Sequence, residues 1–446
     1  AATAQVRPRP RPAGHRLPPP EGSAQAILAD YNLQDISGFA LRDLSNGRVV
    51  EEHNPRLLLP PASVSKAVTT LYGLAALGED YRFRTRVAID GTVQDGVLRG
   101  DLYLIGDGDP HMDTDGLADL ASQVAAAGIH RIEGAAYVFA SALPYHAEID
   151  PEQPVYVGYN PSISGLNLNF NRVHFEWKRE EEDITTVMDA RSENYRPAVT
   201  TARMQVVDRR SPVFTYRDAG DVDEWTVAQR FLNDEGSRWL PVRHPALYAG
   251  EVFATFARSH GIVLKRPQEV AALPAGQLLA MYQSVPLNEM MRGMLRFSTN
   301  ITAEAAGLTA TENLTGEQRG LRTSALGMAH WARRRGSGIS PFFVDHSGLG
   351  DASRVTARDM VDLLSAEGVM QVLRPILKDI RMVDANRKLI TNPPGEVRAK
   401  TGTLNFVSSL AGYLRTGQGR DLAFAFFGAD LQARENGKQF GGERPP

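Results

Sequence analysis

The sequence predicts a mixed α/β (α+β) protein in which both chain ends contribute strands to one antiparallel sheet flanked by helices, with a large insertion between them. Near the start, two β-rich runs flank the turn at 45–47, and near the end two more flank the turn at 417–419. Such turns between apolar runs are typical of hairpins. Helical patterns at about 115–127 and 245–260 bracket a middle stretch rich in β-branched residues.

The predicted elements follow in order along the chain. Strands at 38–44 and 49–52 form the first hairpin, and the apolar run at 67–77 predicts a helix. Strands at 408–414 and 422–427 form the last hairpin. We expect both hairpins to start and finish the same sheet.

A serine and a lysine stand one helical turn apart where the helix at 67–77 begins. Ser63 and Lys66 are at positions i and i+3, which share a helical face. A serine hydroxyl becomes an effective nucleophile when a nearby base removes its proton. Lys66 can do so only when neutral, so its pKa must be lowered by burial or by a cation such as Lys400. Because Pro60-Pro61 favours a helix start here, the N–H of Ser63 is expected to serve as an oxyanion donor.

A second motif, Lys400-Thr401-Gly402-Thr403, has the alternation of an edge strand. Such a strand can pair with an extended peptide, and Gly402 leaves room for the peptide backbone. Lys400 and Thr401 are predicted to bind a terminal carboxylate. The N–H of Thr403 is predicted to complete the oxyanion hole.

A third motif, Ser298-Thr299-Asn300, follows an amphipathic stretch and is predicted to occupy a helix junction facing the same cleft. There Ser298 can relay a proton, and Asn300 can hold either Lys66 or the substrate amide.

Each motif alone has an ordinary structural interpretation, as a chance spacing, a helix cap or a strand end. Their occurrence together and in this order is more specific. Only seven residues of the chain are lysines, and two of those seven lie within the motifs. The trio therefore predicts a serine acyl-transfer site with a lysine as its base.

The ordered trio resembles the active-site signature of the serine penicillin-recognising enzymes. The interval between Ser63 and Ser298 is much longer than a compact β-lactamase would use, and three further phrases, at 104–110, 159–169 and 345–349, narrow the likeness. They resemble phrases of the class C low-molecular-mass penicillin-binding proteins, the D-alanyl-D-alanine carboxypeptidase/endopeptidase family. The resemblance runs from about residue 25 to about 430.

The resemblance implies a penicillin-binding-protein/β-lactamase-like transpeptidase fold and a role for each matching residue. Ser63 is the implied acyl-enzyme nucleophile and Lys66 its general base. Ser298 and Asn300 are the implied proton relay and positioning group, and the Lys400 strand the implied carboxylate-binding element. The sequence departs from the family pattern at Thr299, where Asp is frequent, and at His346, where Gly is common. We expect His346 to fill space in a loop rather than to shape the rim of the cleft.

The insertion predicts a discontinuous domain organisation. The expected units are a Pro/Arg-rich N-terminal arm (1–22), a catalytic domain (23–88 and 280–446), an inserted domain II (89–163 and 243–279) and an inserted β-rich domain III (164–242). Within the last unit, the charge run at 179–183 is expected to be a solvated strand end or loop.

Composition excludes several other classes of protein. A formal net charge of −3, with arginines spread along the chain, gives no general attraction to nucleic acid. The chain has no cysteine and no His-Glu-x-x-His pair, and the glycines at 106–110 lack the Lys-Ser/Thr of a nucleotide loop. We therefore expect no metal and no cofactor.

The location of the protein is expected to be the periplasm. No apolar run approaches the length of about 20 residues that spans a bilayer. A start at Ala1 without methionine is what a removed signal peptide would leave.

The motifs together with the family resemblance imply a serine-type D-Ala-D-Ala carboxypeptidase/DD-endopeptidase that acts on peptidoglycan stem peptides and is inhibited by β-lactams. Two alternatives stay open at this point. One is a β-lactamase or esterase-like hydrolase of the same fold, and the other is a non-catalytic peptidoglycan-binding protein.

Overall fold

The computed structural model describes residues 22–181, 183–336, 341–384 and 386–439. The predicted arm at 1–22 lies outside the described residues except for its last position. The α-helices of the described residues are α1 (Ala24–Asp30), α2 (Ser65–Leu77), α3 (Thr114–Ala126), α4 (Pro245–Ser259), α5 (Leu287–Phe297), α6 (Asn300–Thr315), α7 (Leu321–Arg335), α8 (Ala357–Leu364), α9 (Val369–Leu373) and α10 (Leu431–Gln439).

The strands of the described residues fall into four sheets. In chain order they are β1 (Ser37–Asp43), β2 (Val49–His53), β3 (Arg84–Gln94), β4 (Val97–Gly106), β5 (Arg131–Ile132), β6 (Ala136–Phe139), β7 (Arg172–Glu180), β8 (Asp183–Asp189), β9 (Ala202–Val207), β10 (Phe214–Asp218), β11 (Asp223–Ala228), β12 (Glu235–Pro241), β13 (Gln268–Val270), β14 (Gln277–Gln283), β15 (Lys378–Ile380), β16 (Gly395–Leu404), β17 (Val407–Thr416) and β18 (Asp421–Ala429).

The sheet that carries the Lys400 motif unites the two ends of the chain, as predicted. Its order is β15-β16-β17-β18-β1-β2, and all its pairings are antiparallel. Strand β1 pairs directly with β18, with Ser37 opposite Gly428. The two predicted hairpins are thus β1-β2 and β17-β18.

Helix α2 forms the centre of the helical layer beside this sheet. Its residues from Ser65 to Leu74 are all buried, so the helix is enclosed on every side. Helices α5, α6, α7 and α9 pack against it. One hydrophobic core joins α2 to the sheet, with contributions from Met290 and Met294 of α5, Met328 of α7 and Phe427 of β18.

The inserted region has its own sheets. A six-stranded sheet has the order β13-β6-β4-β3-β14, and its sixth strand, β5, pairs with β4. Helices α3 and α4 pack on each other and on strands of this sheet. Two three-stranded sheets, β12-β7-β8 and β10-β11-β9, complete the insertion. A single second core spans all three sheets, since Leu104, Phe175 and Trp225 belong to the same cluster.

The predicted domain boundaries remain a prediction, and two of them fall inside strands. Strand β3 crosses the predicted boundary at residue 88, and β14 crosses the one at residue 280. The reason is that β3 pairs with β14 and β4, so residues from Arg84 onward hydrogen-bond within the sheet of the insertion. The charge run at 179–183 covers the end of β7 and the start of β8, in agreement with a strand end.

A third, smaller cluster joins the insertion to the helical layer. Leu143, Ile149 and Ile163 of the insertion pack with Ile301 and Leu308 of α6. Because α6 begins at Asn300, this contact brings a loop of the insertion next to the residues that the motifs single out.

Candidate active site

Ser63 lies in a short 3-10 turn, Ala62–Val64, that leads into α2. Every residue from 59 to 74 is buried except Ser63, which keeps partial exposure. The turn is held from below by Ser409, whose hydroxyl donates to the carbonyl of Pro61 at 2.7 Å. Gly402 also lies against it, since a Cβ at that position would stand 2.8 Å from the carbonyl oxygen of Pro61 and 3.0 Å from Ala62 Cβ. The fold therefore presents one hydroxyl of a buried segment to solvent.

Lys66 is the buried partner of this hydroxyl. Its Nζ donates to Ser63 Oγ at 2.9 Å, to Asn300 Oδ1 at 2.7 Å and to the carbonyl of Ser347 at 2.8 Å. The lysine has no exposed surface. Three oxygen acceptors thus fix the amine under Ser63.

The electrostatic environment of Lys66 favours its neutral form. Burial lowers the pKa of Lys66 to about 7, and the positive charge of Lys400 contributes to the lowering. The acidic side chains of Glu304 and Asp345 oppose this effect. A substantial fraction of Lys66 can therefore act as a base near neutral pH.

Lys400 forms the other cationic part of the site. It lies on β16, and its Nζ donates to Ser298 Oγ at 3.0 Å and to the carbonyl of Thr401 at 2.7 Å. Burial lowers the pKa of Lys400 to about 8, and the charge of Lys378 adds to the effect. Lys400 thus stands beside Ser298, while Lys66 holds Ser63.

The outer edge of β16 is open to a peptide beyond the point where its pairing with β15 ends. Strand β15 pairs with β16 only at residues 397–399, and in the described parts of the chain no strand covers the outer edge at 400–404. The side chains of Thr401 and Thr403 are exposed, whereas Gly402 is buried against the Ser63 turn. An extended peptide can therefore lie between this edge and Ser63.

Ser298 and Asn300 occupy the predicted helix junction. Ser298 ends α5 in the left-handed conformation, with φ of 61°, and Asn300 begins α6. The amide of Asn300 makes two contacts, because Oδ1 accepts from Lys66 and Nδ2 donates to the carbonyl of Tyr159 at 2.7 Å. Of the two roles predicted for Asn300, the structure displays the contact with Lys66.

A buried acidic pair supports the Lys66 site, and sequence analysis did not identify it. The two oxygens of Glu304 accept the backbone N–H groups of His346 and Ser347, both at 2.9 Å. The two oxygens of Asp345 accept those of Gly348 and Gly350, both at 2.6 Å. Together they shape the loop at 345–350.

That loop matters because the carbonyl of Ser347 is a hydrogen-bond acceptor for Lys66. Burial raises the pKa of Glu304 and of Asp345, while each group accepts two backbone hydrogen bonds that favour its ionised form. Gly348 has φ of 76°, and a Cβ there would stand 1.8 Å from the carbonyl oxygen of Ala62. The loop thus packs directly on the Ser63 turn.

The two departures from the family pattern have local structural roles. His346 is buried, and its ring hydrogen-bonds Ser324 Oγ at 2.7 Å and lies over Gly307. Its side chain therefore fills space beneath the site, as expected. Thr299 bonds within α6, donating to Thr302 Oγ1 at 2.9 Å.

Among the described residues there is no group of three or more His, Asp or Glu side chains able to hold a metal ion. Within the same residues, no helix is both long and apolar enough to cross a membrane.

Comparisons with known proteins identify the family of the chain. Residues 21–440 match the D-Ala-D-Ala carboxypeptidase 3 (S13) family. The D-alanyl-D-alanine carboxypeptidase of Actinomadura sp. (strain R39) is 28% identical over 92% of this chain and 81% of its own. The D-alanyl-D-alanine carboxypeptidase DacB of Haemophilus influenzae is 21% identical over 90% of this chain and 88% of its own.

Solved structures give the same fold. Penicillin binding protein 4 (dacB) from Haemophilus influenzae superposes with a TM-score of 0.73 at 19% identity, covering 88% of this chain and 89% of that one. The same protein complexed with a β-lactam also gives a TM-score of 0.73, at 20% identity, covering 91% and 92% of the two chains. With the family match spanning nearly all of its length, the chain belongs to the D-Ala-D-Ala carboxypeptidase 3 (S13) family.

Proposed function

We propose that this protein is a serine-type D-Ala-D-Ala carboxypeptidase and DD-endopeptidase. It cleaves the terminal D-Ala-D-Ala bond of peptidoglycan stem peptides, and D-amino-acid cross-links between them, through an acyl-enzyme on Ser63. β-Lactams inhibit it by forming an ester with the same hydroxyl, as the C–N bond of the lactam ring breaks. The observation that carries the proposal is the buried Nζ of Lys66, 2.9 Å from the one partly exposed hydroxyl of the buried segment at 59–74.

Acylation begins when neutral Lys66 accepts the proton of Ser63 while Oγ attacks the scissile carbonyl carbon. The carbonyl oxygen becomes negative, and the N–H groups of Ser63 and Thr403 are the proposed oxyanion donors. Collapse of this intermediate breaks the C–N bond and leaves an ester on Ser63. Lys66 is then an ammonium, held by Asn300 and by the Ser347 carbonyl.

The leaving nitrogen must gain a proton as its bond breaks. Ser298 is the proposed relay: its hydroxyl, which faces Lys400, passes the proton that Lys66 took from Ser63 on to the leaving nitrogen, and Lys66 returns to its neutral form. Water then attacks the ester carbon, gives one proton to Lys66 acting again as base, and releases the shortened peptide. Ser63 regains its proton, so the cycle closes.

Substrate recognition is assigned to the edge of β16. Lys400 and Thr401 bind the carboxylate of the leaving residue, while main-chain groups around Gly402 pair with the extended peptide. The exposed side chains of Thr401 and Thr403 and the free edge beyond β15 support this assignment.

We also infer that the protein works in the periplasm, where its substrate lies, and that it has three units. The catalytic unit consists of the two chain ends, and the insertion contributes domains II and III. The separate sheets support this division, with boundaries before Arg84 and after Gln283. The insertion reaches the active site through the carbonyl of Tyr159, which holds Asn300.

Digestion of purified muropeptides tests the function. The full chain is incubated with an uncross-linked pentapeptide muropeptide and with a cross-linked dimer, and the products are separated by chromatography. We expect loss of one alanine from the first and conversion of the second to monomers, and no product with Ser63→Ala. Intact Ser45→Ala protein serves as a matched control, since Ser45 lies in the β1-β2 turn.

Absence of both products with the unmodified chain would refute the proposal. The lifetime of a penicillin adduct separates the two related activities, because a β-lactamase must release the adduct within seconds and a peptidase retains it. A Ser63→Ala protein that still cleaves either muropeptide would place the chemistry elsewhere.

A further inference from the structure

A basic groove adjoins the active site on the side of Lys400. It encloses about 750 Å³ between α5 and β15. Five cationic side chains line it, and we call them the groove cations: Arg292, Arg296, Lys378, Arg381 and Arg398. The one acidic lining residue is Asp379, which forms an ion pair with Arg398 at 3.2 Å.

Among the described residues, the other four groove cations have no acidic partner. Across the described parts of the chain, no carboxylate lies within 4.0 Å of Arg292, Arg296, Lys378 or Arg381 in an ion pair. All four side chains are exposed. Unpaired like charges that line one concave surface repel each other and raise the local concentration of anions. The groove therefore suits a ligand that carries more than one negative charge.

The groove begins where the active site ends. In the pairing of β15 with β16, Lys378 stands opposite Ala399, the residue before Lys400. The charge of Lys378 contributes to the lowered pKa of Lys400, so the two amines are close enough to interact. Arg296 is two positions before Ser298 in the sequence. The hydroxyl of Ser298 accepts a hydrogen bond from Lys400.

Strand polarity determines which part of a substrate would reach the groove. In the proposed site the scissile carbonyl faces the N–H of Thr403, and the carboxylate of the leaving residue faces Lys400 and Thr401. The substrate therefore runs antiparallel to β16, toward Ala399. A leaving residue that ends the chain stops at Lys400, whereas a longer leaving group meets β15, which already pairs at 397–399. The longer leaving group must therefore turn away from the edge of the sheet. The space that it then meets, beside β15, is the basic groove.

We propose that the basic groove binds the leaving strand of a cross-linked substrate, a second stem peptide that bears several carboxylates. This inference rests on the proposed function and assigns the groove to its endopeptidase reaction. A single D-alanine does not extend into the groove, so the groove cations distinguish the cross-linked substrate from the uncross-linked one. Arginine suits this role because its planar guanidinium can bind a carboxylate through two hydrogen bonds.

Charge reversal at two exposed groove cations outside the catalytic motifs tests the proposal. The double variant Arg292→Glu/Arg381→Glu is compared with the unmodified full chain and with Arg48→Glu. Arg48 lies in the β1-β2 turn at the opposite edge of the same sheet, and the described residues give its side chain no ion pair. The value of kcat/KM is measured for the cross-linked dimer and for the pentapeptide muropeptide.

We expect the ratio of the two kcat/KM values, dimer over monomer, to fall about tenfold or more in the groove variant. In the Arg48→Glu control the ratio should stay within about twofold of the unmodified chain. For the unmodified chain, raising the ionic strength from about 0.05 M to about 0.5 M should slow hydrolysis of the dimer more than that of the monomer.

Acylation of Ser63 by a labelled penicillin separates the possible failures. A groove variant that is acylated normally and keeps its dimer-to-monomer ratio overturns the role of the groove and leaves the proposed function intact. An unmodified chain that is not acylated and cleaves neither substrate overturns both. Should the variant fail to fold, equal salt dependence of the two substrates in the unmodified chain would by itself overturn the proposal.

Discussion

Two cationic regions meet at Lys400, and they differ in their contact with water. On one side Lys66 is buried and held by three oxygen acceptors. On the other side four of the five groove cations are exposed, and these four have no acidic partner in the described residues. Lys400 lies between them and bonds to Ser298.

The difference shows how burial decides what a cation does. A buried ammonium loses its hydration, so its neutral form is favoured and it can act as a base. An exposed guanidinium stays protonated and supplies only charge and directed hydrogen bonds. The predictions below alter one region at a time, from the largest expected effect to the smallest.

Removing the buried base should have the largest effect. Lys66→Ala is expected to lower the second-order rate constant for acylation by a labelled penicillin by about 10³-fold or more, since Ser63 loses its proton acceptor. Lys66→Arg should be equally impaired, because a guanidinium does not deprotonate. Stopped-flow fluorescence checks both, with exposed Lys265→Ala as the control. Near-normal acylation of the arginine variant would contradict the role of Lys66 as base.

Removing the cation between the two regions should have a smaller effect with a distinct signature. Lys400→Ala is expected to lower kcat/KM for the pentapeptide by about 10- to 100-fold, the value of a charged hydrogen bond to the substrate carboxylate. The positive charge of Lys400 contributes to the lowered pKa of Lys66. Its removal should therefore raise the pKa of Lys66 and move the rise of the acylation rate to higher pH. A pH profile that does not move would mean that the two amines are uncoupled.

Neutralising Glu304, the acid beneath Lys66, should move the pH profile of acylation in the opposite direction. In Glu304→Gln an amide N–H₂ replaces one acceptor of the backbone N–H groups of His346 and Ser347, which loosens the Ser347 carbonyl. We expect acylation to slow about tenfold. Loss of the negative charge should lower the pKa of Lys66, so the rise of the rate moves to lower pH. Glu304→Asp keeps the charge, and its profile should stay in place; a profile that moves equally in both variants would exclude the electrostatic role.

The smallest effect on activity is expected at His346. Its ring fills space near Gly307 and bonds to Ser324, away from Ser63. His346→Ala should lower the free energy of unfolding by about 2–4 kcal/mol through the cavity and the lost hydrogen bond. Urea denaturation measures this, and acylation should change by less than about threefold. A large loss of acylation with unchanged stability would make His346 part of the cleft.

The buried half of the site could be predicted largely from sequence, because its chemistry resides in short motifs. Ser63 and Lys66 face each other through helical spacing, and the prolines before them mark the turn. Glu304 escaped notice because α6 surrounds it with small residues such as Ala303 and Ala305, so no amphipathic pattern reveals that it is buried. The carbonyls of Ser347 and Tyr159 escaped notice because backbone acceptors have no sequence signature.

The exposed half could not be predicted, for a different reason. Arg292 and Arg296 are one helical turn apart, but Lys378 and Arg398 reach them only through the pairing of β15 with β16 and the packing of α5 nearby. The arginines look dispersed along the chain and become a cluster only in the fold. The predicted boundary at residue 88 likewise divides the strand at 84–94 between two domains, because a hydrophobic pattern does not show which strands pair with each other.

The central claim is that one partly exposed hydroxyl, that of Ser63, is activated by one buried, neutral lysine, Lys66. The most direct measurement is the rate of acylation by a labelled penicillin across pH, with the adduct located by mass spectrometry of peptides. We predict a single adduct on the peptide that contains Ser63, formed at a rate that rises as pH passes through about 7, the pKa of Lys66. An adduct on another residue would contradict the account. So would a rate that does not rise until the pH approaches the pKa of an ordinary lysine.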